Sequence, residues 1–224
     1  MKFIPDPLIE CDFENVYYPS EDTFLLIDYF KNNINENYFD GINVDDIDYI
    51  LDIGTGTGII AINFQIFKGK SNNFNPKIVA SDIFEDSIVC AKKNEVLNNF
   101  HNEILFLQSD LFESFPNSLK SSFNIIVFNP PYLPSSPLIT DKKKIDHSWD
   151  GGGLKGYETL IEFIKQVRSF LNLQKPHYIY YISSSRTNLE ELNKNLDELK
   201  FKNEIVGKKH IFFEDILINR LRSL

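Results

Sequence analysis

Apolar and polar positions along this chain switch repeatedly between two periods. Ser20, Glu21 and Asp22 read as a helix start, a capping hydroxyl followed by first-turn acids, with Phe24, Leu25, Ile27 and Phe30 as its apolar face. Residues 47–53 form a short apolar run closed by a glycine cluster, the pattern of a buried strand, and residues 59–67 carry helical spacing. The pairing recurs: strand 77–81 with helix 85–98, then strands at 103–108 and 124–128. After an irregular segment, 130–156, helical spacing returns at 157–171, with Tyr157, Leu160, Ile161, Ile164, Val167 and Leu171 on one face and Gly156 at its start. Residues 178–183 read as strand, 189–199 as helix, and 204–206 and 213–219 as two further strands. Alternating strands and helices predict an α/β fold, a largely parallel sheet covered on both faces, with ligands bound beyond the C-terminal strand ends.

Composition narrows this further. The 224 residues are 42% hydrophobic, enough for one substantial core, and 25% charged. We therefore expect one domain over 1–224, with 1–45 as an N-terminal extension and 46–224 as the core. The 23 basic against 32 acidic residues, net −9, argue against a protein that grips duplex nucleic acid by neutralising phosphates. Cys11 and Cys90 lie far apart with no ligand-like spacing, so neither a disulfide framework nor a metal site is expected. The start, MKFIPDPLIECDF, lacks the apolar core of a signal peptide, and the longest uncharged run, 121–140, holds four prolines, so no membrane helix is expected. Cytoplasmic residence is the expectation that follows. Lys142, Lys143, Lys144 and His147 read as solvated positions of the irregular segment.

Three places carry chemistry. Leu51-Asp52-Ile53-Gly54-Thr55-Gly56-Thr57-Gly58 joins a strand to a helix, with glycines that allow a sharp turn and close approach of a ligand to the main chain. Position 59 is isoleucine, so the dinucleotide fingerprint G-x-G-x-x-G is absent, and no Gly-Lys-Ser/Thr follows for a nucleotide triphosphate loop. Asp82 ends the next strand, where an acid can accept from ribose hydroxyls or merely cap the strand. One strand further on, Asp110 and Leu111 offer an acceptor and an apolar cover for a base. Finally, Asn129-Pro130-Pro131-Tyr132 ends the strand 124–128. An NH2 group could donate one hydrogen to the Asn129 side-chain oxygen and the other to the Pro130 carbonyl, with Tyr132 packed on the planar group.

Gly54 to Gly58, Asp82, Asp110 and Asn129-Pro130-Pro131-Tyr132 together resemble class I S-adenosylmethionine-dependent methyltransferases that methylate amino and amide nitrogens. More narrowly, Tyr18-Pro19-Ser20-Glu21-Asp22-Thr23-Phe24-Leu25-Leu26 and Trp149-Asp150-Gly151-Gly152 with Gly156-Tyr157-Glu158 are similar to the short archaeal and eukaryotic branch of HemK-type protein glutamine methyltransferases. That branch often has Gly-Arg-Glu where this chain has Gly156-Tyr157-Glu158, so no arginine role carries over there.

The resemblance implies a Rossmann-like methyltransferase fold: a doubly wound, mostly parallel seven-stranded sheet with helices on both faces and an antiparallel C-terminal strand. It implies that Thr23, Asp52, Gly54, Gly56, Gly58, Asp82, Asp110, Leu111 and Asn129 line a site for S-adenosyl-L-methionine, whose product is S-adenosyl-L-homocysteine. Asn129, Pro130 and Tyr132 become the catalytic residues. The implied substrate is the glutamine of the Gly-Gly-Gln motif in a class-1 translation release factor. The implied partner is a small zinc-binding activator docked on an edge strand at Ile104, Leu105, Phe106 and Leu107, a run whose apolar character fits equally well with plain core packing. Only about 45 residues precede the first strand, so the N-terminal helical domain of bacterial relatives is not expected. Alternatives at this stage are methylation of an exocyclic amino group of a nucleic-acid base, protein lysine methylation, and a cofactor-binding scaffold without turnover. The −9 charge weighs against the first of them.

Overall fold

The computed structural model describes residues 4–69, 73–132, 155–211 and 213–224. Lys142, Lys143, Lys144, His147, Trp149 and most of the irregular segment therefore lie outside the described residues.

Helix α1 (Glu21–Asn33) comes first, followed by a two-stranded hairpin, β1 (Tyr38–Phe39) and β2 (Ile42–Asn43). The main sheet then begins with β3 (Tyr49–Ile53), α2 (Ile59–Lys68), β4 (Lys77–Asp82), α3 (Glu85–Leu97), β5 (Ile104–Gln108) and β6 (Ile125–Phe128). It closes with α4 (Glu158–Val167), β7 (Tyr178–Ser184), α5 (Leu189–Glu198), β8 (Phe201–Ile211) and β9 (Glu214–Ser223). The seven strands lie in the order β5-β4-β3-β6-β7-β9-β8. β3 to β7 are mutually parallel, and β9 runs antiparallel to both β7 and β8. Chain order reverses at β3, whose neighbours are β4 and β6, and this switch point opens a crevice beyond the carboxyl ends of both strands.

The period-2 pattern of the strands builds a core on each side of the sheet. Ile50, Ile78, Ile125, Val127 and Tyr180 point to the face covered by α1 and α2. Their neighbours Leu51, Val79, Ile126 and Tyr181 point to the other, covered by α4 and α5. α3 joins the first face, where Gly58 sits so close to it that an added Cβ would lie 2.8 Å from the Ala91 Cβ.

The expected elements exist, with three corrections. α1 begins after Ser20, but the Ser20 side chain makes no capping bond, and the buried face is Asp22, Thr23, Leu26, Ile27 and Phe30 while Phe24 is exposed. α4 stops at Val167, four residues short, because Leu171 leaves the helix to bridge Phe123 at the sheet. The C-terminal strands are far longer than 204–206 and 213–219, since each pairs along its whole length with the other.

Candidate active site

The glycine loop after β3 is shaped by two carboxylates. Asp52 is 1% exposed, and its Oδ2 accepts from the Thr55 hydroxyl at 2.6 Å and the Ala61 N–H at 3.2 Å. Burial pushes its carboxyl up to about 7, against the lowering effect of those two bonds. Gly54, Gly56 and Gly58 all take positive φ, at 67°, 53° and 83°, so the loop can turn back over the sheet in a way side chains resist. From β4, Asp82 reaches across: its Oδ2 accepts from the Gly56 N–H and its Oδ1 from the Phe84 N–H, both at 2.9 Å. Desolvation raises the Asp82 carboxyl, offset by these N–H groups.

A cavity of about 600 Å³ opens over this loop at the switch point. Thr23, Gly54, Gly56, Asp82, Asp110, Leu111, Asn129, Pro130 and Tyr132 all line it. Asp52 and Gly58 do not; they act on it through the loop they shape, one from beneath and the other against α3. Asp110 is exposed, and Leu111 is half-buried with a φ of 43°, a left-handed conformation that a leucine rarely takes and that sits at the cavity wall.

At the far end, the Pro130-Pro131 turn after β6 holds Asn129 beside the start of α1. The Asn129 NH2 donates to Asp22 Oδ2 at 3.1 Å and to the Thr23 hydroxyl at 3.4 Å. Its side-chain carbonyl Oδ1 is buried and has no hydrogen-bond partner among the described residues. Leaving a buried acceptor unpaired costs about 1–3 kcal/mol. Tyr132 donates its hydroxyl to Asp22 Oδ2 at 3.2 Å, and Tyr17 donates to Asp22 Oδ1 at 3.2 Å. Burial and then the Asp22 charge raise the hydroxyls of both tyrosines, which keeps them protonated donors.

Sequence reasoning missed Asp22 as a site residue, taking it for a first-turn acid. It is 4% exposed and also accepts from the Thr23 N–H at 2.6 Å. The available signal was its spacing: Asp22 stands one helical turn before Leu26, so it had to face inward. The segment before α1 was missed too. Asn15, Tyr17 and Pro19 wall the cavity. They are held there because Asn94 of α3 accepts from the Glu10 N–H at 2.9 Å and donates to the Thr57 carbonyl at 2.9 Å, tying the segment to the glycine loop.

A crevice at the switch point of a doubly wound sheet, with a glycine loop, an acid on each of the next two strand ends and an Asn-Pro-Pro-Tyr turn, defines the class of protein. The chain belongs to the methyltransferase-domain family, whose model matches residues 45–220. Among its relatives, a protein of Methanocaldococcus jannaschii named putative protein N5-glutamine methyltransferase is 34% identical over 91% of this chain and 89% of its own length. The human methyltransferase HEMK2 is 25% identical over 80% of this chain and 76% of its own. The release factor glutamine methyltransferase of Leptospira interrogans is 36% identical, over 55% of this chain and 38% of its own length. Among solved structures, the E. cuniculi Mtq2-Trm112 complex, described as responsible for methylating the eRF1 termination factor, superposes with a TM-score of 0.64. It is 22% identical and covers 94% of this chain and 99% of the solved one, so it shares the fold.

Proposed function

We propose that this protein transfers a methyl group from S-adenosyl-L-methionine to the side-chain amide nitrogen of a protein glutamine, in the Gly-Gly-Gln motif of a class-1 release factor. One observation carries the reading: Asn129 Oδ1 is a buried acceptor with no hydrogen-bond partner among the described residues, while its NH2 is engaged by Asp22 and Thr23. The name of the M. jannaschii relative, at 34% identity, points to the same chemistry.

The cavity residues suit the cofactor. The positive-φ glycines let its chain approach the main chain, while Asp82, Asp110 and Leu111 offer acceptors and an apolar cover for its nucleoside, and Thr23 lies at the end nearest Asn129. When bound, the cofactor supplies an electrophilic methyl on a sulfonium.

The protein's own part is to make an amide nitrogen nucleophilic. A glutamine NH2 donates one hydrogen to Asn129 Oδ1 and the other to the Pro130 carbonyl, which returns electron density to nitrogen and stabilises the positive charge that develops there. Tyr132, tethered to Asp22, packs on the planar amide and fixes its angle of approach. The methylated nitrogen, still carrying both hydrogens, is a strong acid and loses one to solvent, so an asparagine suffices where an amine substrate would need a base.

The proposal extends to the molecule's surroundings. Its residues act as a single domain, and its place is the cytoplasm, where release factors work; no described helix is long and apolar enough to cross a membrane. A small zinc-binding activator would dock on β5. Among the described residues that strand pairs with β4 alone, its Leu105 is 48% exposed, and a groove of about 790 Å³ runs beside it. The structural neighbour from E. cuniculi is a complex of two proteins, Mtq2 and Trm112.

The experiment is incubation with methyl-labelled cofactor, with and without that subunit, and a release factor carrying either Gly-Gly-Gln or Gly-Gly-Ala. We expect label on the first factor only. Equal label on both, or label on DNA in their place, overturns the reading.

A further inference from the structure

The mechanism leaves one end of the molecule unused. β9 runs antiparallel to β7, so the turn between β8 and β9 stands at the carboxyl end of the parallel strands, beside the acceptor side of the site. Ile211 and Glu214 pair across that turn, and the residues between them are Phe212 and Phe213. Two-residue hairpin connections ordinarily carry Gly, Asn or Asp, because those residues accept the backbone twist. Phe213 serves no such turn chemistry. Phe213 is 88% exposed, the most exposed large apolar side chain among the described residues.

The tip is fixed in place. Glu214 accepts from the Ser184 hydroxyl and lies 3.8 Å from Arg186, both at the end of β7. Lys209 pairs with Glu21, the residue before Asp22. Lys208 and His210 both reach Asp215 across the hairpin, at 2.7 and 2.9 Å. After burial, Asp22 and Tyr17, Glu214 has a smaller influence that also raises the Tyr132 hydroxyl. Ile211, one residue before the tip, packs on the same core cluster as Tyr132.

We propose that the β8–β9 tip, through Phe213, is the docking element for the acceptor protein itself, inserting an aromatic ring into an apolar hollow next to the loop that bears the methylated amide. The occupant follows from position. The tip stands at the carboxyl end of the parallel strands, the end at which the cavity opens, and Lys209 ties the hairpin to Glu21 in the first turn of α1, next to the cavity-lining Asp22. A rigid ring exposed on a pinned hairpin loses little conformational freedom when it is buried, which is how aromatic anchors come to dominate interfaces. The three ion pairs around the tip, Arg186–Glu214, Lys208–Asp215 and Lys209–Glu21, are satisfied internally, so the contact is apolar and not a charge match. This rests on the functional reading above only for the identity of the acceptor.

The test compares the full chain with Phe213→Ser, in the form active in the labelling assay. Three quantities are measured: affinity for an intact class-1 release factor by calorimetry, KM and kcat for that factor, and the same constants for a short peptide carrying Gly-Gly-Gln. Cofactor affinity and melting temperature serve as controls. Losing one aromatic anchor weakens an interface by about tenfold or more. The expected result is therefore a dissociation constant and KM for the intact factor raised about tenfold or more, with kcat, peptide constants and cofactor affinity unchanged. Unchanged affinity for the intact factor overturns the docking role, as does an equal loss on the peptide, or a concentration-dependent dimer of the wild type that the variant abolishes. Binding that depends on Phe213 without methyl transfer to glutamine leaves the docking role standing and removes the functional reading. Transfer to glutamine with affinity indifferent to Phe213 does the reverse.

Discussion

Asp22 is a carboxylate with no free role of its own: every bond it makes sets the direction of another group. Asp22 Oδ2 accepts from the Asn129 NH2, so the amide meets Asp22 with its nitrogen and leaves its carbonyl oxygen for another partner. Asn129→Ala removes the acceptor; turnover should fall by about 100-fold or more, the scale of losing one transition-state hydrogen bond, while cofactor affinity by calorimetry changes little. Asp22→Asn is the finer test. The new side chain can donate as well as accept, so the Asn129 amide can turn over and offer NH2 where the substrate needs an acceptor. We expect kcat to drop about 10- to 100-fold with cofactor affinity retained, and an unchanged kcat would deny that Asp22 orients Asn129. Asn129 itself was readable from sequence because the prolines around it have few other uses. Asp22 was overlooked because the same letters, Glu-Asp after a serine, also describe an ordinary helix start, and its place one turn before Leu26 was the mark that separates the two.

At the scale of elements, strand and helix identities followed from period, but their ends followed from partners. The hairpin β8–β9 extends well past its apolar residues because each strand gives the other a full ladder, and that pairing leaves little mark on side-chain type. The glycine loop was read in full, yet which glycine does what depends on α3: Gly58 is held against Ala91 with a φ of 83°. Gly58→Ala should destabilise by about 1–3 kcal/mol from combined backbone strain and overpacking. That corresponds to a drop of roughly 2–12 °C in melting temperature for a chain of this size, and no drop would mean that α2 and α3 can separate. Beneath the same loop, Asp52 is raised by burial from 3.8 to about 7. Between those values the folded protein keeps a proton that the unfolded chain has released, so this group's contribution to stability is lost as pH rises through that window. Asp52→Asn removes the slope. Its melting temperature relative to wild type should climb between about pH 4 and pH 7, and a constant difference would contradict the assignment.

For the molecule as a whole, the net charge of −9 and the open β5 edge point the same way, toward protein partners. The sequence flagged Ile104 to Leu107 as unusually apolar but left two explanations standing. The sheet order makes β5 terminal and leaves Leu105 48% exposed, so core packing does not account for the whole run. Leu105→Glu should leave the melting temperature nearly unchanged, because the side chain already meets water, and abolish co-purification with a small activator; retained co-purification would place the activator elsewhere. The central claim is that the methyl arrives on an amide nitrogen chosen by Asn129. It is tested most directly by fragment mass spectrometry of the release factor after reaction, comparing wild type with Asn129→Ala. The account predicts one added methyl on the Gly-Gly-Gln glutamine side chain with the wild type and none with the variant. A methyl on a lysine, or on that glutamine with both proteins, would contradict it.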